Sequence, residues 1–232
     1  MIHMVRGLTL LLSILLLGLL PAWSAVPDTP SIELIDDSWD FGFIPSDYTV
    51  VHYYRIKNIG GSDLHIDQLT ADCDCTSAYA ARKVLPPDST TEIKLIFETK
   101  GYYGANTRQV TIHSNDPEKP TVTIDYTSNI GVIPSQLRVG PKSLFFLPGH
   151  KPKELVLENL TDDDVEYSLT LESDSVVTIS ESSGKLKSGK SVSLLVAPKA
   201  NLPRGTHYSS LAVTFISEIE VRQTVPLRIV RY

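Results

Sequence analysis

The sequence predicts an all-β fold, two tandem β-sandwich domains behind a cleavable leader. Three observations predict it. Apolar residues run unbroken only near the start, the rest of the chain alternates with period two, and the two halves match each other at an offset of 101 residues.

The leader comes first. "MIHMVRG" carries Arg6, and "LTLLLSILLLGLL" follows from Leu8 to Leu20, ended by Pro21-Ala22-Trp23-Ser24-Ala25. A spanning helix needs about 20 apolar residues, so a run of this length fits a secretory signal peptide. Ala22 and Ser24 supply the small residues wanted three and one before the cut, which sets residues 1–24 as the signal peptide, with cleavage after Ala25 as the second choice. No cysteine follows the run, so no lipoprotein attachment point is expected. Past the leader no segment approaches a membrane span, and the expected location is periplasmic or secreted.

The charge narrows the partners. With 27 acidic against 21 basic residues the formal net charge is −6, and the lysines and arginines are scattered. Phosphate backbones and anionic membranes are bound through clustered positive charge, so neither nucleic acid nor a membrane surface is an expected partner.

The repeat fixes the domain organisation. "YYRIKNIGGSDLHI" (Tyr53 to Ile66) lies over "ELVLENLTDDDVEY" (Glu154 to Tyr167), matching Ile56 with Leu157 and Asn58 with Asn159 without a gap. Further on, "VLPPDSTTEIKLIF" lies over "KLKSGKSVSLLVAP", and Gly104 falls on Gly205. A period this long exceeds a solenoid unit and marks two copies of one domain, here 25–130 and 131–232. The break falls in "SNIGVIPS", and so short a linker is expected to set the domains end to end.

Each copy reads as short strands. In "VVHYYRIKN" Val50, His52, Tyr54 and Ile56 share one face, and Val51, Tyr53, Arg55 and Lys57 share the other. "TEIKLIF", "QVTIH" and "ELVLEN" alternate in the same way. Turn chemistry separates the runs at "NIGGSD", "LPPDST", "SNDPEKP", "NLTDDD" and "SSGKLKSGKS". Several strands per domain with regularly spaced turns is the pattern of an immunoglobulin-like sandwich.

On these residues the first domain resembles the DUF1573 family. "WDFGFIPSDYTVVHYYRIKNIGGSDLHIDQLTADCDCTSA" follows its order of an Asp-Phe-Gly element, a Lys-Asn-x-Gly turn and a Cys-x-Cys-Thr box, and "VTIHSNDP" matches its closing element. The resemblance runs from about Ser38 to Asn129, with Asp74 standing where the family has glycine and Pro87-Asp88 where it has Pro-Gly. It implies an exported bacterial protein of immunoglobulin-like fold and no particular activity.

Chemistry-bearing residues are few. Cys73 and Cys75, in "ADCDCT", are the only cysteines. An oxidising compartment favours a Cys73–Cys75 disulfide, a local clasp that adds little loop entropy. A metal-binding element with His52, His65 or His113, and a redox role, are the alternatives the residues leave open. Asp72 and Asp74 are expected to raise the thiol pKa values, which disfavours a nucleophilic cysteine. The repeat places Asp174 and Val176 at the cysteine positions, so the sandwich itself does not require the pair. No nucleophile elbow, phosphate loop or His-Glu-x-x-His is present. The acidic turns "TDDDVE" and "SNDPE" lack the ligand period of a calcium loop, and "NLT" at Asn159 is formally a glycosylation acceptor.

The expected function is a non-catalytic exported binding or structural module without a cofactor. Its partner would be an unidentified protein or envelope component. The alternatives are a periplasmic chaperone of the pilus-assembly type and a thiol–disulfide or copper-handling protein using Cys73 and Cys75.

Overall fold

In the computed structural model, residues 28–149, 151–172 and 176–232 are described. The signal peptide of residues 1–24 and Asp174, which the repeat sets opposite Cys73, lie outside them.

Strands account for the regular structure of both halves. The first half holds β1 (Ile32–Leu34), β2 (Ser38–Ile44), β3 (Thr49–Asn58), β4 (Leu64–Ala71), β5 (Thr76–Ala80), β6 (Val84–Leu85), β7 (Thr90–Glu98), β8 (Gly104–Ser114) and β9 (Thr121–Ile130). The second holds β10 (Leu137–Gly140), β11 (Leu144–Phe146), β12 (Lys153–Asn159), β13 (Val165–Leu171), β14 (Val177–Ile179), β15 (Ser183–Leu186), β16 (Ser191–Pro198), β17 (Gly205–Ile216) and β18 (Val221–Arg231).

Pairing in one half repeats strand for strand in the other. The sheet β1-β3-β7-β5 has its counterpart in β10-β12-β16-β14. The run β2-β9-β8-β4-β6 corresponds to β11-β18-β17-β13-β15, down to a parallel pairing of β2 with β9 and of β11 with β18. Two facing sheets with a parallel first-to-last strand pair make each half an immunoglobulin-like sandwich. The inner faces close over separate cores. Phe41, Tyr54, Ile56, Phe97, Ile112 and Tyr126 centre the first, and Phe146, Leu155, Leu157, Val213, Phe215 and Leu227 the second.

The repeat extends to buried hydrogen bonds. Asn58 and Asn159, both fully buried, end corresponding strands. Asn58 Nδ2 donates to the carbonyls of Ser62 and Leu85, and Asn159 Nδ2 donates to those of Asp163 and Leu186. Each amide cross-ties a turn to the strand beyond it. Asn159, formally a glycosylation acceptor, thus has an amide nitrogen that is enclosed and already donates twice.

The acidic "SNDPE" turn is likewise structural. Asn115 Oδ1 accepts from the His65 amide, and the buried Asp116 carboxylate accepts from the amides of Ile32, Glu118 and Lys119. Burial alone would raise the Asp116 pKa, but these backbone donors and the Lys119 charge outweigh it and hold the carboxyl below the usual aspartate range.

The halves do not sit end to end. β18 carries β11 on the outer edge of its second part and β2 of the other half on its first part, where Gln223 pairs with Phe43 in parallel register. One ten-stranded sheet therefore runs through both sandwiches. Edge pairing supplies partners for backbone groups that an exposed strand leaves open, which a flexible linker alone does not.

Candidate functional site

Two regions collect the chemistry, the Cys73–Cys75 clasp and the junction between the halves. The clasp occupies the turn where the chain leaves β4 in one sheet and enters β5 in the other. Backbone bonds pin the turn, from Asp72 N to Gln109 O and from Glu98 N to Cys75 O. Cys73 and Cys75 are joined, with Cα atoms 5.2 Å apart. Alternation turns both cysteines toward the core, Cys75 being buried, while Asp72 and Asp74 face solvent.

Thr76 completes this corner. Its hydroxyl lies 3.4 Å from Cys73 Sγ and 3.7 Å from Cys75 Sγ, and it is hydrogen-bonded to the Tyr126 hydroxyl. Burial pushes the Tyr126 phenol up to about 12, so it stays protonated and serves as a neutral partner.

The candidate metal ligands do not join the cysteines. His52 lies on β3, separated by β7 from the strand that the clasp turn enters, and faces the junction. His65 is exposed on β4, and His113 Nε2 sits 3.4 Å from Thr70 Oγ1. Among the described residues no group of three or more His, Cys, Asp or Glu side chains comes together in metal-binding geometry.

The repeat also says what the clasp does for stability. Val176, opposite Cys75, is buried in the second core, so this position is an apolar core site in both halves. Replacing Cys73 and Cys75 by serine is expected to leave the first domain folded and to cost about 1–2 kcal/mol, since the closed loop is minimal. Cys73→Ser with Cys75→Val should recover part of that loss. Urea melts of the two variants check both statements, and a first domain unfolded by either change contradicts them.

Sequence reasoning did not find the junction site. Val51, on the outward face by alternation, is fully buried, because its strand packs against β17 and its amide donates to Ser210 Oγ at 2.7 Å. Beside it the His52 Nδ1 and Glu172 Oε2 atoms meet at 2.6 Å, with both side chains more than nine-tenths buried. Trp39 stacks on the His52 ring at 4.0 Å, and the Arg222 guanidinium covers Trp39 at 4.7 Å. Arg222 also donates to the Asp40 carbonyl, and Thr224 Oγ1 donates to the Phe41 carbonyl. The Asp-Phe-Gly element of the first domain is thus the seat for β18.

A cleft of about 370 Å³ opens at the same junction, lined by Asp47, Tyr48 and Thr49 from the first half and by Phe145, Tyr208 and Arg228 among others from the second. Arg228 is flanked across the strands by Phe145 and Tyr208, with its guanidinium carbon 5.2 Å and 5.8 Å from the two ring centres.

These features define a protein of two immunoglobulin-like sandwiches fused through one sheet. Residues 32–129 match the family model described as "Protein of unknown function (DUF1573)", and this part of the chain is a DUF1573 domain. Solved structures with a similar fold include the CsuC–CsuE chaperone–tip adhesion subunit pre-assembly complex from archaic chaperone-usher Csu pili of Acinetobacter baumannii. It is 18% identical, covers 41% of this chain and 57% of that chain, and has a TM-score of 0.37. The E. coli chaperone DraB is 14% identical over 40% of this chain and 54% of its own, with a TM-score of 0.36. A protein of unknown function from Porphyromonas gingivalis W83 is 12% identical over 84% of this chain and 98% of its own, with a TM-score of 0.32. The chain thus spans little more than half the length of the two chaperone structures. No curated protein matches it. Among the described residues no helix is long and apolar enough to cross a membrane.

Proposed function

We propose that the chain is an exported, non-catalytic binding or structural module that presents a fixed two-domain surface to a protein or envelope component. The observation that supports this reading is the fused junction. A shared sheet and a buried His52–Glu172 pair hold the two sandwiches in one orientation, which preserves a cleft between them. A preorganised surface binds without the entropy loss of ordering two domains. Export rests on the apolar run from Leu8 to Leu20 and the small residues before Ala25.

The test is in-cell crosslinking followed by capture of the tagged full chain from its host. One discrete partner, retained after Cys73 and Cys75 are both replaced by serine, is the expected result. Loss of capture in that variant, with thiol-dependent turnover or copper retained only by the parent chain, would move the reading to thiol–disulfide or copper handling. A chaperone role makes a separate demand: the captured partner would be an incompletely assembled subunit that aggregates when this chain is absent.

A further inference from the structure

We propose that the junction cleft binds a carboxylate carried on a peptide segment of the partner, with Arg228 as its anchor. The proposal rests on the binding-module reading and names the chemistry of its partner.

Arg228 is exposed on the outer face of β18, directly between Phe145 of β11 and Tyr208 of β17. Among the described residues Arg222 pairs with Glu220 and Arg55 with Asp36, yet the Arg228 side chain makes neither an ion pair nor a hydrogen bond. In a chain of net charge −6 that leaves a guanidinium without a carboxylate partner on the wall of a cleft between the two halves.

The geometry selects the ligand. Two aromatic rings lie within about 6 Å of the guanidinium carbon, and its N–H donors are left without an acceptor. Those donors form a fork that matches a carboxylate bidentately. Asp47 lines the same cleft and disfavours a doubly charged phosphate relative to a singly charged carboxylate. A volume of about 370 Å³ suits an acidic group and its adjoining peptide units, near the lower end of ligand sites. The Tyr48 and Ser143 hydroxyls on the cleft wall are then available to peptide N–H and C=O groups.

The test follows the Arg228 Nε–H resonance of the full chain by NMR during titration with three blocked peptides. Acetyl-Ala-Glu-Ala-amide presents a side-chain carboxylate, acetyl-Ala-Ala-Ala free acid presents a terminal one, and acetyl-Ala-Gln-Ala-amide presents none. At least one acidic peptide should shift Arg228 and bind about tenfold more tightly than the glutamine peptide, the difference expected of a charge-assisted pair. Whichever acid binds identifies the source of the carboxylate. R228Q should abolish the preference, and R228K should keep part of it.

Equal binding of acidic and neutral peptides, an acid preference that survives R228Q, or tighter binding of inorganic phosphate than of either acid overturns the proposal. Host capture separates this from the broader reading. A partner held equally by the parent chain and R228Q leaves the binding module standing and removes the carboxylate site. Acid-selective binding without any captured partner does the reverse.

Discussion

Gly42→Val is expected to part the two domains. Gly42 has a φ of 63°, in the left-handed region, and a Cβ built there would lie 2.1 Å from the Arg222 carbonyl oxygen and 2.7 Å from its carbon. Both are backbone atoms of β18, so relief requires lifting that strand from β2. The Gln223–Phe43 pairing and the Thr224 bond to the Phe41 carbonyl go with it, and the buried His52–Glu172 pair is unseated. The left-handed backbone alone costs about 1–2 kcal/mol, and the lost contacts of β18 with the first half add to it. Gly101→Ala is the control. Gly101 has a φ of 84° with nothing within 4 Å of the added carbon, so it carries only the backbone cost. In calorimetry Gly42→Val should split the unfolding of the parent chain into two transitions, with Gly101→Ala keeping one transition at slightly lower temperature. A Gly42→Val melt that superimposes on that of Gly101→Ala contradicts this account of the junction.

What the sequence disclosed and what it hid follow from the range of the forces involved. Strand phase is local, so alternation read the inward face of β3 and the outward Arg55 and Lys57 correctly. The repeat is a comparison of the chain with itself, so it located corresponding strands without knowledge of contacts. The junction is neither. His52 and Glu172 lie 120 residues apart and come together only because β3 and β17 pack, which no periodicity encodes.

Two local signs of the junction were nevertheless present. Val51 is an apolar residue out of phase with its strand. In β17 the segment "SSLAVTF" from Ser209 to Phe215 is buried at every position, and its lack of charge and its loss of alternation are what a strand covered on both faces requires. The end-to-end arrangement failed for the same reason, since it was drawn from linker length rather than from this doubly covered strand. At the clasp, position and partners divided in the same way. The repeat set Asp174 and Val176 opposite Cys73 and Cys75, from which a fold independent of the pair is expected, while the packing of Thr76 against Tyr126, 50 residues away, emerges only once the sheets face each other.

Replacing either buried asparagine by alanine should strongly destabilise its domain. Asn58 Oδ1 accepts from the amides of Gly60 and Ser31 at 2.9 and 3.3 Å, while Nδ2 donates to Ser62 and Leu85 at 2.8 Å each. Asn159 Oδ1 accepts from the amide and hydroxyl of Thr161, at 3.0 and 2.6 Å, while Nδ2 reaches Asp163 and Leu186 at 2.7 and 3.1 Å. In Asn58→Ala and Asn159→Ala these partners lose their bonds together. Water can reach the turn carbonyls, but the Leu85 and Leu186 carbonyls lie against buried side chains, and an unsatisfied buried group costs about 1–3 kcal/mol. Adding the lost turn bonds, each variant should fall by about 2–4 kcal/mol, a large share of the 5–15 kcal/mol that holds a typical domain. Aspartate should not rescue either site, because a carboxylate cannot donate to the two carbonyls and would lie buried against them. Urea midpoints of Asn58→Ala, Asn159→Ala and both aspartate variants check this. Matching losses at the two positions are required if the repeat reflects one shared structural device, and a loss below about 1 kcal/mol at either would show that the amide is not what ties its turn to the sheet.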